Sequence, residues 1–187
     1  MKNVQETIFE VPVWGFFMSE QKYQCRDYLD HLYNLTETEP SVKKSNFGGY
    51  QTHDNLHLAP VFREFCSGLE KFANTIVSEY TNKNLVSLKI TEMWGNINTL
   101  NCYNAAHVHG GILSGVFYIK TPKDCGRLIL KNPAVRSDAH LIRTSNYPIV
   151  PEPLACIIFP SWLEHYVEPN MSDEERVSIS FNFDFSE

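Results

Sequence analysis

The segment Arg176-Val177-Ser178-Ile179-Ser180-Phe181-Asn182-Phe183 limits the fold more than any other. Polar and apolar side chains alternate through it without a break. Side chains in a strand point to opposite faces in turn, so this segment carries one polar face and one packed face. Val177, Ile179, Phe181 and Phe183 require a core. Arg176, Ser178, Ser180 and Asn182 require water or a polar interior. The same period of two begins near Leu85 and continues in Trp94-Gly95-Asn96-Ile97-Asn98, and the largely apolar Leu113 to Ile119 and the short Arg127 to Leu130 also read as strands. Leu154 to Phe159 is a near-continuous apolar run that suits a buried strand.

Before Leu85 the period is helical. Ser19 is a candidate N-cap for a helix running to about Leu35. Pro60 suits a first helical turn. Phe62, Phe65, Leu69, Phe72, Ile76 and Tyr80 then recur at three- and four-residue spacing to Thr81. Ile8 to Phe17 reads as an extended segment whose Pro12 places it at an edge. Thr36 to Ala59 reads as a long polar connection, and Asn132 to Tyr147 as a second one containing His140. Helices followed by many short strands predict an α+β chain: an antiparallel β-sandwich or barrel buttressed by N-terminal helices. With 187 residues, one domain over 1–187 is expected, with 1–84 giving helical support and a loop and 85–187 most of the strands.

Composition narrows the function classes. Hydrophobic residues make up 43% and aromatics 13%, which fits a β-rich globular core. A formal net charge of −6, with Lys43-Lys44 the one adjacent basic pair, carries no specific nucleic-acid signal. Cys25, Cys66, Cys102, Cys125 and Cys156 are odd in number and widely spaced, which suits reduced thiols in a cytoplasmic protein. No run approaches the ~18 apolar residues of a membrane span. The chain starts with no signal peptide pattern. An exposed strand or helix face leaves homodimerisation open.

The chemistry gathers around His107-Val108-His109-Gly110-Gly111. In an extended chain the two imidazoles point the same way, roughly 6.5–7 Å apart along the backbone, and can meet on one metal ion. His165, in Phe159-Pro160-Ser161-Trp162-Leu163-Glu164-His165, supplies a third imidazole. Three neutral imidazoles suit iron, zinc or copper. Arg176 opens the last strand. If its polar face looks into a barrel, a buried guanidinium requires an anion, and a carboxylate matches it in bidentate geometry. The other reading is an exposed residue paired with Glu174 or Glu152. Trp94, Asn96 and Asn98 share a face. Two inward amides need partners, which a polar ligand would supply. Ser45-Asn46-Phe47-Gly48-Gly49-Tyr50-Gln51-Thr52 is either a solvated turn or a loop on the substrate side. His53 and His57 could share a helical face and bind metal. Three functional classes are consistent with these residues: a metal-dependent oxygenase with a carboxylate co-substrate, a cupin-like three-histidine metalloenzyme without one, and a non-catalytic β-sandwich module.

These blocks, in this order from residue 45 to 182, resemble the Fe(II)/2-oxoglutarate-dependent oxygenases. More narrowly they resemble a small bacterial and phage type with two histidines one residue apart, a distal histidine, and an arginine with serine at plus two. The resemblance implies a double-stranded β-helix (jelly-roll, cupin-like) core and an oxidoreductase that couples decarboxylation of 2-oxoglutarate to oxidation of a prime substrate by dioxygen. It implies His107 and His165 as iron ligands. His109 stands where the wider superfamily has a carboxylate and is expected to ligate as a neutral substitute. Arg176 and Ser178 take the positions that grip the far carboxylate of 2-oxoglutarate, and Asn98 the position of a further polar contact.

Overall fold

Alternating strands can bury one face on helices and still leave the other face for a second sheet, and this is how the chain resolves its two periods. The computed structural model describes residues 10–81, 87–133 and 146–185. Its strands are β1 (Trp14–Phe17), β2 (Asn46–Phe47), β3 (Tyr50–Gln51), β4 (Leu88–Asn98), β5 (Tyr103–His107), β6 (Leu113–Lys120), β7 (Leu128–Lys131), β8 (Asn146–Ile149), β9 (Ala155–Pro160), β10 (His165–Val167) and β11 (Arg176–Phe185). They form a major sheet in the order β1-β9-β6-β11-β4-β3 and a minor sheet in the order β2-β5-β10-β7-β8. Two facing antiparallel sheets with helices on one outer side are the double-stranded β-helix of an α+β chain.

Helices α1 (Cys25–Thr38) and α2 (Arg63–Thr81) cover the outer face of the major sheet. The apolar row of β11 faces them: Val177, Ile179, Phe181 and Phe183 are fully buried, in one cluster with Leu32, Phe65 and Leu69. Each such side chain contributes roughly 1.5–3 kcal/mol through removal from water. Helix α1 lies so close that a Cβ on Gly95 would sit 2.3 Å from Leu32 Cδ2. Only glycine on β4 permits that approach. A second cluster, including Val116, Leu128, Ile157, Phe159 and Leu163, seals the space between the sheets.

The structure departs from the sequence reading at three places. Residues Ser19–Lys22 form a 3₁₀ turn, and the α-helix starts only at Cys25. Gln21 in that turn is buried and accepts a hydrogen bond from Tyr28 Oη at 2.6 Å, which holds the turn against the start of the helix. Within Thr36–Ala59 lie two short strands, β2 pairing with β5 and β3 with β4, so this stretch is part of both sheets and not a plain connection. Asn146–Ile149 pairs with β7, where a loop was expected to continue to Tyr147. His140 lies outside the described residues. All five cysteines are unpaired. No helix among the described residues is long and apolar enough to cross a membrane.

Candidate metal and anion centre

The minor sheet brings the histidines together. His107 ends β5 and His165 begins β10, and the two are direct partners across the antiparallel pair. Their ring centroids are 4.4 Å apart. His109 follows β5 in a loop tied to the chain on two sides: its N–H donates to Ser161 O at 3.0 Å, and Ser161 N–H donates to Ile112 O at 3.2 Å. Gly111 makes this loop feasible. Its φ is +79°, and a Cβ there would come within 2.6 Å of Phe183 O. The His109 ring then lies 4.7 Å from that of His107 and 5.1 Å from that of His165, centroid to centroid. One ligand atom from each histidine lies within 4.8 Å of the others.

The donor set suits a metal. His107 Nδ1 is 2.6 Å from Ala105 O, and His165 Nδ1 is 2.8 Å from Leu163 O. A carbonyl only accepts, so each Nδ1 carries the proton and each Nε2 keeps its lone pair. Burial pushes all three imidazoles below their ordinary range. His165 falls to about 4 and His109 to about 3, with neighbouring histidines adding to the effect and Lys44 adding further at His109. They are therefore neutral near pH 7, the state that ligates. Ser45 Oγ stands 3.5 Å from His107 Nε2.

The major sheet faces this cluster with its polar row. Arg176 sits opposite Asn98 in register, and Ser178 opposite both Asn96 and Tyr118. Arg176 is 3% exposed. Its Nη1 donates to the carbonyls of Cys125, Gly126 and Glu168. Among the described residues it forms no ion pair with a carboxylate. Burial draws its affinity for the proton down, but a guanidinium stays charged. Asn98 Nδ2 is buried with no hydrogen-bond partner. A buried orphan donor and an unneutralised cation side by side form a place for an anion. The alternative pairing of Arg176 with Glu174 or Glu152 is not what the fold builds.

Both groups open onto one cavity of about 230 Å³, lined by His107, His109, His165, Asn98, Arg176 and Ser178. The structure thus brings together every site residue expected from the sequence. His53 and His57 stay outside the histidine cluster. Lys44, Ser45 and Gln51 line the cavity, so the segment around Gly48-Gly49 does flank the site. Sequence reasoning missed Tyr118 and Glu92. Tyr118 is buried in a run that reads as wholly apolar, and burial raises its phenol well above the ordinary range, so it keeps its proton as a donor. Among the aromatics of these segments, Trp94 lines the cavity, Phe117 is in the core, and Trp162 is exposed.

The fold thus sets three imidazoles that could hold a metal ion beside a buried guanidinium, on one cavity. A family model described as "Putative 2OG-Fe(II) oxygenase" matches residues 92–182, the stretch that holds all three histidines and Arg176. Solved structures share the fold. A prolyl-4-hydroxylase from Pseudomonas putida is 14% identical, with a TM-score of 0.69, covering 94% of this chain and 93% of that one. An α-ketoglutarate-dependent epimerase of nogalamycin biosynthesis is 12% identical, with a TM-score of 0.71, covering 91% and 76%. A viral collagen prolyl hydroxylase from Paramecium Bursaria Chlorella virus-1 is 12% identical, with a TM-score of 0.64, covering 91% and 94%. No curated protein matches by sequence. The chain is thus similar to the Fe(II)/2-oxoglutarate-dependent oxygenases, in its family match over residues 92–182 and in its fold over nearly its whole length.

Proposed function

We propose that His107, His109 and His165 hold Fe(II) and that Arg176, Ser178 and Asn98 hold the far carboxylate of 2-oxoglutarate, in a hydroxylase acting on an unidentified prime substrate with dioxygen. The observation that carries this reading is the buried Arg176 guanidinium, which has no carboxylate partner among the described residues and opens onto the cavity that the three imidazoles line. A structural module with incidental histidines gives no reason to bury that charge. Leaving one uncompensated costs on the order of 3–5 kcal/mol.

Iron bound with 2-oxoglutarate supplies the oxidative decarboxylation and hydrogen abstraction of this enzyme class. The remaining work belongs to the protein. The Ala105 and Leu163 carbonyls fix the tautomers of His107 and His165, so two lone pairs are already presented. Arg176 and the Asn98 amide draw one carboxylate to the far wall, and the Ser178 and Tyr118 hydroxyls stand on the same face as further donors. Anchoring that end sets where the keto acid's other end lies. Phe159, Val116 and Leu128 on the cavity wall limit water around it.

Anaerobic titration of the Fe(II)-loaded protein with 2-oxoglutarate tests this reading. A weak visible charge-transfer band is expected in the wild type, greatly weakened in Arg176→Ala. His109→Ala reports whether the third imidazole is a required ligand. Stoichiometric iron with no band would favour a three-histidine metalloenzyme without 2-oxoglutarate, and no metal binding would overturn the reading altogether.

A further inference from the structure

We infer that the prime substrate presents a cationic nitrogen, an alkylammonium or guanidinium group, to the carboxylate of Glu92. This rests on the assignment of the Arg176 end to the co-substrate. Residues 92, 94, 96 and 98 of β4 share the face toward the cavity, and Glu92, Trp94, Asn96 and Asn98 all line it. Six steps along the strand lead from Glu92 to Asn98, about 20 Å at ~3.3 Å per residue. The carbon chain of a five-carbon dicarboxylate, four bonds at ~1.5 Å each, is at most about 6 Å long. Held at Arg176, it cannot reach Glu92. Whatever meets Glu92 is a second molecule.

Glu92 is built to receive one. It is the single carboxylate on the cavity wall among the described residues, and it is half-buried. Asn182 Nδ2 donates to its Oε2 at 2.5 Å. Asn182 is itself fixed, because Ser114 Oγ lies 2.8 Å from its Oδ1 and 2.9 Å from Ser161 Oγ. Asn182, Ser114 and Ser161 are each 2% exposed or less. A neutral, buried relay thus orients the carboxylate without cancelling its charge. It also ties Glu92 to the metal side, since the carbonyl of Ser161 holds the His109 main chain.

The charges at this end are not balanced. Lys44 also lines the cavity, but Asp54 neutralises it at 3.2 Å. No Lys, Arg or His among the described residues forms an ion pair with Glu92. The mouth beyond the histidines therefore carries one unmatched negative charge, while the co-substrate end carries one unmatched positive charge. The two subsites sort their ligands by sign: an anion at Arg176, a cation at Glu92. Trp94 lies between them with its ring 5.3 Å from that of His109, an aromatic face for the aliphatic stem of an amine.

The test uses the Ni(II)·2-oxoglutarate complex of the full chain, which is not turned over. Ligand-observed NMR follows n-butylamine, butylguanidine, n-butanol and butyrate as probes. The two cations should bind the wild type at least about tenfold more tightly than butanol or butyrate, and Glu92→Gln should abolish the preference while leaving 2-oxoglutarate affinity within about twofold. Equal binding of cation and alcohol to the wild type overturns the inference without any variant. So does a cation preference that survives in a folded Glu92→Gln protein. If nickel and 2-oxoglutarate fail to bind the wild type, the assignment of the Arg176 end has failed instead, and this inference falls with it.

Discussion

Two arginines meet at Glu168 and illustrate opposite uses of the same group. Arg127 lies at the surface and grips the Glu168 carboxylate in a two-pronged pair, Nε to Oε2 and Nη2 to Oε1, each at 2.7 Å. Arg176 lies inside and takes only the Glu168 carbonyl, at 3.4 Å, with the carbonyls of Cys125 and Gly126. The first guanidinium is satisfied within its own chain. The second is held in place by weak acceptors that orient it but leave its charge unspent. The Glu168 carboxylate goes to the outer arginine, and the inner one's unmatched charge is what supports the proposal that it receives a carboxylate ligand.

The comparison breaks most completely if the inner arginine is given an internal anion. Ser178→Asp places a carboxylate on the same face of β11, and co-substrate binding should fall by about 2–5 kcal/mol in calorimetric titration. Thermal stability of the apoprotein should hold or rise. An unchanged 2-oxoglutarate affinity would mean that Arg176 is not the anchor.

Acid gives the next effect. The three imidazoles have folded-state values below the unfolded value near 6.5, so the unfolded chain binds more protons as pH falls. The apoprotein should be fully stable above pH ~6.5 and lose stability as pH drops toward about 4. His165 accounts for on the order of 2 kcal/mol by pH 4.5. Melting curves between pH 7.5 and 4.5 should show this slope, and His165→Asn should flatten it. An identical slope in the variant would sink the assignment.

Arg176→Lys keeps the charge but loses the planar fork, and should weaken 2-oxoglutarate by roughly tenfold with little change in stability. Arg127→Ala should be the mildest change. An exposed pair is screened by solvent and contributes little, so a small loss of stability that disappears in high salt is expected, with 2-oxoglutarate binding intact. A large effect of Arg127 on binding would show that the two arginines act together through Glu168.

Much of this site could be read from the chain because its residues obey the strand period. Arg176 and Ser178 share a face by alternation alone, and so do Trp94, Asn96 and Asn98. His107 and His109 escape that rule in part: His109 reaches the cluster through a glycine turn beyond β5, not along the strand. Tyr118 and Glu92 were hidden for a different reason. Each sits among residues that explain themselves as packing or as a solvated edge. Only the register with β11, Ser178 against Tyr118 and Asn182 against Glu92, turns them inward. Strands β2 and β3 are two residues each and gain their identity from partners far along the chain. No local pattern specifies them. The late start of α1 goes with a nearer contact, a buried glutamine whose partner is a tyrosine one turn into the following helix.

The alternation of β11 also governs which changes in length the chain can accept. Deleting one residue between Arg176 and Asn182 would carry every side chain beyond it to the opposite face. Apolar side chains beyond it, such as Phe183, would enter the cavity, and polar ones, such as Asn182, would meet the helices. One missing codon there would erase the core and the chemistry together. In this segment, heritable variation is confined to substitution.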